Sequence, residues 1–85
     1  MAKYKLFIKP SAVKELQKIP NPDFTRITNR IKKLTSDPRP LGCEKLSNDE
    51  KYRIRQGNYR IIYLIDDVEE EVIIYKIGHR SDVYK

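Results

Sequence analysis

Cysteine and histidine are almost absent from this sequence. Its 85 residues contain one of each, so no intramolecular disulfide can form, and a structural zinc site of the usual Cys/His type lacks ligands. Cys43 lies in a loop rich in proline and glycine, where a spare thiol is a simpler interpretation than a catalytic nucleophile. We therefore predict a protein that uses no metal and no cofactor.

Long apolar runs are absent as well. The longest is far too short to span a bilayer, and the opening Met-Ala-Lys-Tyr passes directly into a strand pattern without the apolar core of a signal peptide. We therefore expect a cytoplasmic protein with no membrane partner. A chain of this length is enough for one small domain, residues 1–85.

Acidic residues are scarce outside one short segment. The chain has 18 lysines and arginines against 12 aspartates and glutamates, a net charge of +6, and five of the acids fall within residues 66–71. The simplest role for that acidic loop is to cap a hairpin with solvated charge. Outside it the chain is basic, which suggests a polyanion such as RNA or DNA as partner.

The spacing of apolar residues and turn formers predicts the element order β-α-α-β-β-β. Residues 4–9 alternate as a strand, a helix follows Lys-Pro-Ser and stops at Pro20, and Asn21-Pro22-Asp23 opens a second helix. Strands follow at about residues 52–56, 59–65 and 71–78. We predict an α+β fold of two layers, in which two N-terminal helices pack on one face of a mostly antiparallel four-stranded sheet.

The segment KYRIRQGNYR, residues 51–60, predicts a basic β-hairpin. Gly57-Asn58 can supply the positive φ angles that a two-residue turn requires, and aromatic and β-branched residues flank it. Such a turn fixes the register, with these facing pairs: Gln56–Tyr59, Arg55–Arg60, Ile54–Ile61 and Arg53–Ile62.

Strand alternation then places three arginines of the hairpin, Arg53, Arg55 and Arg60, on one face of the sheet. Like charges directly opposite each other destabilise a strand pair, so the Arg55–Arg60 rung requires an anion or a nearby carboxylate to offset it. The cluster is therefore a candidate anion site. An ordinary solvated basic face is the alternative.

Further candidates lie on the second helix and the last strand. On that helix, Arg26, Arg30 and Lys33 lie on the face away from the apolar stripe. Together with Lys51 they are the candidate RNA-binding residues. Alternation along the last strand places Lys76 and Arg80 on one face, with Tyr75, Ile77 and His79 on the other. A turn after Arg80 could return the Tyr84 hydroxyl toward the arginines.

Taken together, the element order, the segment YRIRQGNYRIIY and the ending GHRSDVY resemble the RelE group of toxins, within the wider RelE/ParE superfamily of toxin–antitoxin systems. The stretch KPSAVKELQKIP is similar to the first helix of that family. The resemblance covers essentially the whole chain, and a set of segments in this order carries it rather than any single motif. It implies a single RelE-like toxin domain.

The resemblance implies a ribosome-dependent endoribonuclease that inhibits translation. Such an enzyme enters the ribosomal A site and cuts mRNA by attack of a ribose 2′-hydroxyl on the adjacent phosphate. Arg53 and Arg55 stand where other members have lysines, which puts more weight on His79 or Tyr84 as general acid or base and leaves the choice between them open. The catalytic residues that carry over are Arg53, Arg55, Arg60, His79, Arg80 and Tyr84.

The resemblance also implies partners. These are the ribosome with its rRNA and mRNA, and a small acidic cognate antitoxin whose C-terminal segment wraps the basic surface. The toxin alone is expected to be a monomer and to form a hetero-oligomer with the antitoxin. Two other functions stay open, a ParE-like gyrase-inhibiting toxin of the same fold and a non-catalytic nucleic-acid-binding module.

Overall fold

The computed structural model describes residues 3–46 and 50–79. Its elements confirm the predicted α+β class and the positions of both helices. The helices are α1 (Pro10–Gln17) and α2 (Asp23–Lys33), and the strands are β1 (Lys5–Ile8), β2 (Glu44–Lys45), β3 (Lys51–Gln56), β4 (Tyr59–Asp66) and β5 (Glu71–His79). Neither helix is long and apolar enough to cross a membrane.

The strands form one sheet in the order β1-β5-β4-β3-β2, with β1 parallel to β5 and the other pairs antiparallel. The described residues form five strands where four were predicted. The additional strand, β2, has only two residues, which is too short for any alternation of apolar and polar residues to indicate it.

Both helices pack on the same face of the sheet. Ile27 and Ile31 of α2, and Leu34 directly after it, are buried among residues of the central strands, as their helical spacing predicts. Ala12 and Leu16 of α1 join the same core. The residues that the sheet contributes to this core are Tyr52, Ile54, Ile61, Tyr63, Ile65, Val72, Ile74 and Ile77.

The β3–β4 hairpin has the predicted register. Arg55 faces Arg60, Arg53 faces Ile62, and the other predicted pairs are also present. Gly57 has a φ of 61°, while its turn partner Asn58 does not have a positive φ. A positive φ at the first turn residue alone is the pattern of a type II′ turn, which matches the twist of the flanking strands.

A bulge interrupts the pairing of β4 with β5. Ile62 pairs with Lys76 but Tyr63 pairs with Ile74, so Tyr75 is an extra residue. Because the bulge inserts one residue, the alternation of side chains between the two faces shifts by one position there. The prediction that Tyr75 shares a face with Ile77 is therefore wrong. Ile77 lies in the core, whereas the ring of Tyr75 lies on the opposite face of the sheet.

As predicted, the acidic loop caps the β4–β5 hairpin with exposed acids. Two acids of the loop also make specific contacts that the prediction did not include. A side-chain oxygen of Asp66, Oδ1, accepts hydrogen bonds from the backbone N–H groups of Val68 and Glu69, at 3.1 and 3.0 Å. The Asp67 carboxylate accepts two hydrogen bonds from the Arg39 guanidinium, at 3.2 and 2.8 Å, and one from the Tyr4 hydroxyl at 2.7 Å. Asp67 thereby ties the loop to the residue before β1 and to the segment before β2.

We expect the Asp67 contacts to make stability depend on acid pH. The Arg39 guanidinium, followed by the Tyr4 hydroxyl, lowers the pKa of Asp67 to about 2. Because the pKa of Asp67 is lower in the folded than in the unfolded state, its ionised form stabilises the fold. This stabilisation is fully present above the unfolded-state pKa of about 3.9 and is lost as pH falls through 2. Asp67→Asn should therefore lower the melting temperature at pH 7, and the difference from the parent should shrink as pH falls through 2.

Thermal unfolding followed by circular dichroism measures this difference. Glu69→Gln is the matched control, because it removes one exposed acid from the same loop. If Asp67→Asn and Glu69→Gln melt alike at pH 7, the Asp67 contacts do not stabilise the fold.

Candidate active site

The face of the sheet turned away from the helices carries the three hairpin arginines and is called the open face below. Facing residues of paired strands project to the same side, so the pairs Arg53–Ile62, Arg55–Arg60 and Lys51–Leu64 all belong to this face. The chain thus brings together the arginines that sequence alternation grouped.

The three arginines differ in exposure. Arg60 is buried, with 9% of its surface accessible, and the Arg53 side chain is 12% accessible, whereas that of Arg55 is 57% accessible. A buried guanidinium is held in a narrower range of positions than an exposed one. Arg60 therefore supplies a fixed positive group, with the fork of Arg55 directly opposite it and reaching into solvent.

A carboxylate that the sequence reasoning missed completes this group. Glu44 of β2 lies directly opposite Arg53, and its Oε2 accepts a hydrogen bond of 2.8 Å from Nη2 of Arg53. The other oxygen, Oε1, lies 3.7 Å from Nη2 of Arg55. Glu44 is thus the nearby carboxylate that the pattern of like charges required.

The position of Glu44 gives it chemical capacity beyond charge balance. A separation of 3.7 Å is an ion-pair distance rather than a hydrogen bond, so the Arg55 contact leaves Oε1 with lone pairs to accept a proton. The Glu44 side chain is 51% exposed, which allows a ligand on the open face to reach it. Arginine cannot accept a proton in a protein, so the carboxylate of Glu44 is the candidate base among these side chains.

The structure does not bring His79 to the open face. His79 pairs with Tyr59, and their rings meet edge to face with centroids 5.7 Å apart. Tyr59 packs against the core, so this pair lies on the helix side of the sheet, as strand alternation predicted. The histidine and Arg60 therefore project to opposite sides of the sheet. Arg80 and Tyr84 lie outside the described residues.

The predicted RNA-binding residues divide between two surfaces. Lys51 begins β3 and projects from the open face. Arg26, Arg30 and Lys33 belong to α2, in the helix layer on the other side of the sheet. Since these two surfaces are separated by the thickness of the domain, one short RNA segment could not contact both.

Sequence reasoning missed Glu44 and Tyr75 for different reasons. Glu44 follows a loop punctuated by Pro38, Pro40 and Gly42, and nothing local indicates that this loop returns beside β3. A signal was nonetheless present, because an unbalanced arginine rung requires an acid. The bulge that turns Tyr75 to the open face has no glycine or proline to mark it.

A family model for the ParE toxin of type II toxin–antitoxin systems, parDE, matches residues 6–84. Toxin RelE of Mycobacterium tuberculosis is 32% identical over 85 residues, which cover 96% of this chain and 87% of that toxin. Putative toxin RelE1 of Methanocaldococcus jannaschii is 29% identical over 87 residues, which cover 98% of this chain and 97% of that toxin.

A solved structure has the same fold over nearly the whole chain. The toxin in the archaeal RelE–RelB complex from Pyrococcus horikoshii superposes with a TM-score of 0.84 at 28% sequence identity, and the match covers 95% of this chain and 99% of that chain.

Proposed function

Since this chain belongs to the ParE toxin family of type II toxin–antitoxin systems, within the RelE/ParE superfamily, we propose that it is a RelE-like endoribonuclease that cuts mRNA in the ribosomal A site. The observation that carries this proposal is the open face, where Arg53, Arg55 and Arg60 converge beside the Glu44 carboxylate. The pairing of fixed cations with one proton acceptor suits phosphoryl transfer better than a surface used only for binding.

The proposed reaction needs no cofactor. The ribose 2′-oxygen attacks the adjacent phosphorus, the new O2′–P bond forms as the P–O5′ bond breaks, and the products are a 2′,3′-cyclic phosphate and a 5′-hydroxyl. Negative charge builds up on the phosphate oxygens as the bond to the 2′-oxygen forms. Arg60 stabilises that charge, because a guanidinium fork matches two phosphate oxygens and stays protonated.

The reaction also moves two protons. Glu44 takes the proton of the attacking 2′-hydroxyl, with Arg53 holding its carboxylate in position through the 2.8 Å bond. The departing 5′-oxygen needs a proton in return. For this role we favour Tyr84 over His79, since His79 projects from the other side of the sheet. Arg80 stays a proposed second phosphate contact.

Dependence on the ribosome follows from the small size of the site. Among residues 3–46 and 50–79, the open face offers cations and a candidate base, and its three arginines line none of the hollows described for this part of the chain. Alignment of reactants supplies a large part of a barrier reduction, on the order of several kcal/mol. In this proposal ribosomal RNA supplies it by fixing the mRNA in the A site.

A second candidate is a ParE-like toxin that inhibits gyrase. The match to a ParE family model favours it, whereas the RelE names of two relatives that align over nearly the whole chain favour the nuclease. For an inhibitor of gyrase, the arginines and Glu44 would be surface groups without a catalytic role.

Primer extension on mRNA from cells that express the protein separates these functions. The nuclease predicts new 5′ ends within translated codons, in register with the reading frame, and no change in plasmid supercoiling. Altered supercoiling without new mRNA ends would favour the gyrase inhibitor. The absence of both would favour a non-catalytic nucleic-acid-binding module.

We further propose that an acidic antitoxin neutralises this toxin as a hetero-oligomer. Net charge of +6 and a cationic open face suit an acidic segment that wraps the domain. The P. horikoshii relative is solved as a complex of RelE with RelB. Co-expression with the acidic protein encoded beside this toxin should restore growth, and unchanged toxicity with a stable antitoxin present would contradict the proposal.

The basic surface of α2 is proposed to contact ribosomal RNA. Arg26→Glu with Arg30→Glu should weaken ribosome binding most at low salt, because the contacts would be electrostatic. Cleavage at saturating toxin should stay near the parent rate, since α2 lies on the opposite side of the sheet from Arg60. Sedimentation with ribosomes across a salt series measures the first effect, and equal binding by parent and variant at every salt concentration would rule this surface out.

A further inference from the structure

Two lysines reach the ring of Tyr75 on the open face. The Nζ atoms of Lys9 and Lys51 each lie 4.2 Å from the ring centroid. Lys9 directly follows β1 and Lys51 begins β3, so the two chains lie on opposite sides of β5 in the sheet. Ammonium groups within about 6 Å of an aromatic centroid are attracted by the ring. The ring of Tyr75 therefore holds two ammonium groups close together on the open face.

A hollow of about 200 Å³ lies beside this ring, at the edge of β5 beyond the end of β1. Its lining includes Lys9, Tyr75 and the neighbouring Lys76. Glu15 also lines it, but Oε1 of that carboxylate accepts the Ile77 backbone N–H at 3.0 Å. The hollow, whose lining also includes Ser11, thus combines two ammonium groups with one carboxylate, and this net positive charge suits a small anion such as a phosphate group.

An exposed aromatic ring lies next to these lysines. Phe7 of β1 is 48% accessible and pairs with Ile73 of β5. It lies two residues before Lys9, and because alternate residues of a strand share a face, both project from the open face. An exposed ring beside cations is how proteins without sequence preference hold single-stranded nucleic acid, by stacking a base and pairing its phosphate.

The cluster is continuous with the arginine site. Gly78 of β5 faces Arg60, and Tyr75 lies three residues earlier in the same strand. At about 3.3 Å per residue this places the two groups roughly 10 Å apart along β5, so one extended RNA strand can contact both. An acidic protein segment would also be attracted to the lysines, but it would have no planar base to stack on Phe7.

We propose that Phe7, Lys9, Lys51 and Tyr75 form a nucleotide subsite for the mRNA next to the cleaved bond. Phe7 stacks on a base, Lys9 and Lys51 pair with the backbone phosphate, and Tyr75 positions the two lysines. Recognition is independent of base identity, because a ring face and a phosphate are common to all nucleotides. This subsite rests on the proposed nuclease function and extends the open face from the reacting phosphate to a neighbouring nucleotide.

The test measures binding of a short single-stranded RNA to the purified protein across a salt series. An Arg60→Ala background prevents cleavage and toxicity. Lys9→Ala and Lys51→Ala are compared with Lys14→Ala, a control that removes an exposed lysine from α1 in the helix layer. The same series is repeated with an oligonucleotide of identical backbone that lacks its bases, and with a glutamate-rich peptide of equal charge.

Each lysine substitution should weaken binding of both oligonucleotides. It should also reduce the slope of log affinity against log salt concentration by about 0.7 in magnitude, the value for one phosphate contact on a single strand. Phe7→Leu should weaken binding of the intact RNA by about fivefold and leave the oligonucleotide without bases unaffected. Lys14→Ala should match the unsubstituted background.

Three results would overturn the subsite. In the first, the Lys9 and Lys51 variants bind RNA as tightly as Lys14→Ala. In the second, Phe7→Leu weakens binding of both oligonucleotides equally. In the third, the substitutions weaken binding of the peptide and leave binding of the RNA unchanged. Cleavage by the parent on ribosomes is measured separately. Intact cleavage with no lysine effect would refute the subsite alone, whereas a lysine effect without cleavage would refute the nuclease alone.

Discussion

Arg60→Ala should lower the rate of mRNA cleavage on ribosomes by about 10² to 10³ at saturating toxin, because one preorganised group that stabilises transition-state charge typically contributes that much. Arg60 is the buried arginine of the open face, so its guanidinium needs little rearrangement when the phosphate charge develops. Toxicity in cells should be lost with the rate. Saturating toxin separates this loss of chemistry from any loss of binding.

Arg55→Ala is the matched comparison, since Arg55 faces Arg60 but is 57% exposed. It should cost clearly less, because a mobile exposed cation contributes less to a fixed site. Arg60→Lys, which keeps the charge but not the planar fork, should recover only part of the rate. Circular dichroism and antitoxin binding confirm that each variant is folded. Cleavage by a folded Arg60→Ala within threefold of the parent would show that the open face is not catalytic.

Glu44→Gln should have the second large effect, a loss of about 10² to 10⁴ in the same single-turnover rate, as expected for a missing general base. Glutamine keeps the size of the side chain and an oxygen that can accept the bond from Arg53, so the strand pairing of β2 with β3 is preserved.

Glu71→Gln is the control for charge alone. Glu71 begins β5 and pairs with Lys5 and Asp66. These three residues share one face of the sheet and lie away from the arginines. It should leave the rate unchanged. If Glu44→Gln cleaves as fast as Glu71→Gln, Glu44 only balances the charge of Arg53 and Arg55 and another group accepts the proton.

Local signals predicted the parts of the fold that local chemistry determines. The spacing of Ile27, Ile31 and Leu34 identified the buried stripe of α2. Gly57, placed between two β-forming segments, fixed the turn and hence the register of Arg55 against Arg60. These features need only the neighbouring residues, because helix periodicity and turn type act over a few positions.

The missed features depend on contacts distant in sequence. Glu44 reaches Arg53 only because the loop after α2 returns beside β3, and no pattern within that loop specifies the return. The bulge at Tyr75 arises where β5 must pair with β4 while its other edge passes the end of β1. The anchoring of Asp67 by Arg39 and Tyr4 likewise joins three separate segments.

Cleavage of a defined mRNA on programmed ribosomes, with the chemistry of both product ends identified, tests the central claim most directly. The proposed mechanism predicts a cut within the A-site codon, a 2′,3′-cyclic phosphate on the upstream fragment and a 5′-hydroxyl on the downstream one. A single 2′-deoxy substitution at the cleaved position should block the reaction, since it removes the attacking oxygen. An mRNA that stays intact with fully active toxin, or one that is cut despite the 2′-deoxy substitution, would contradict it.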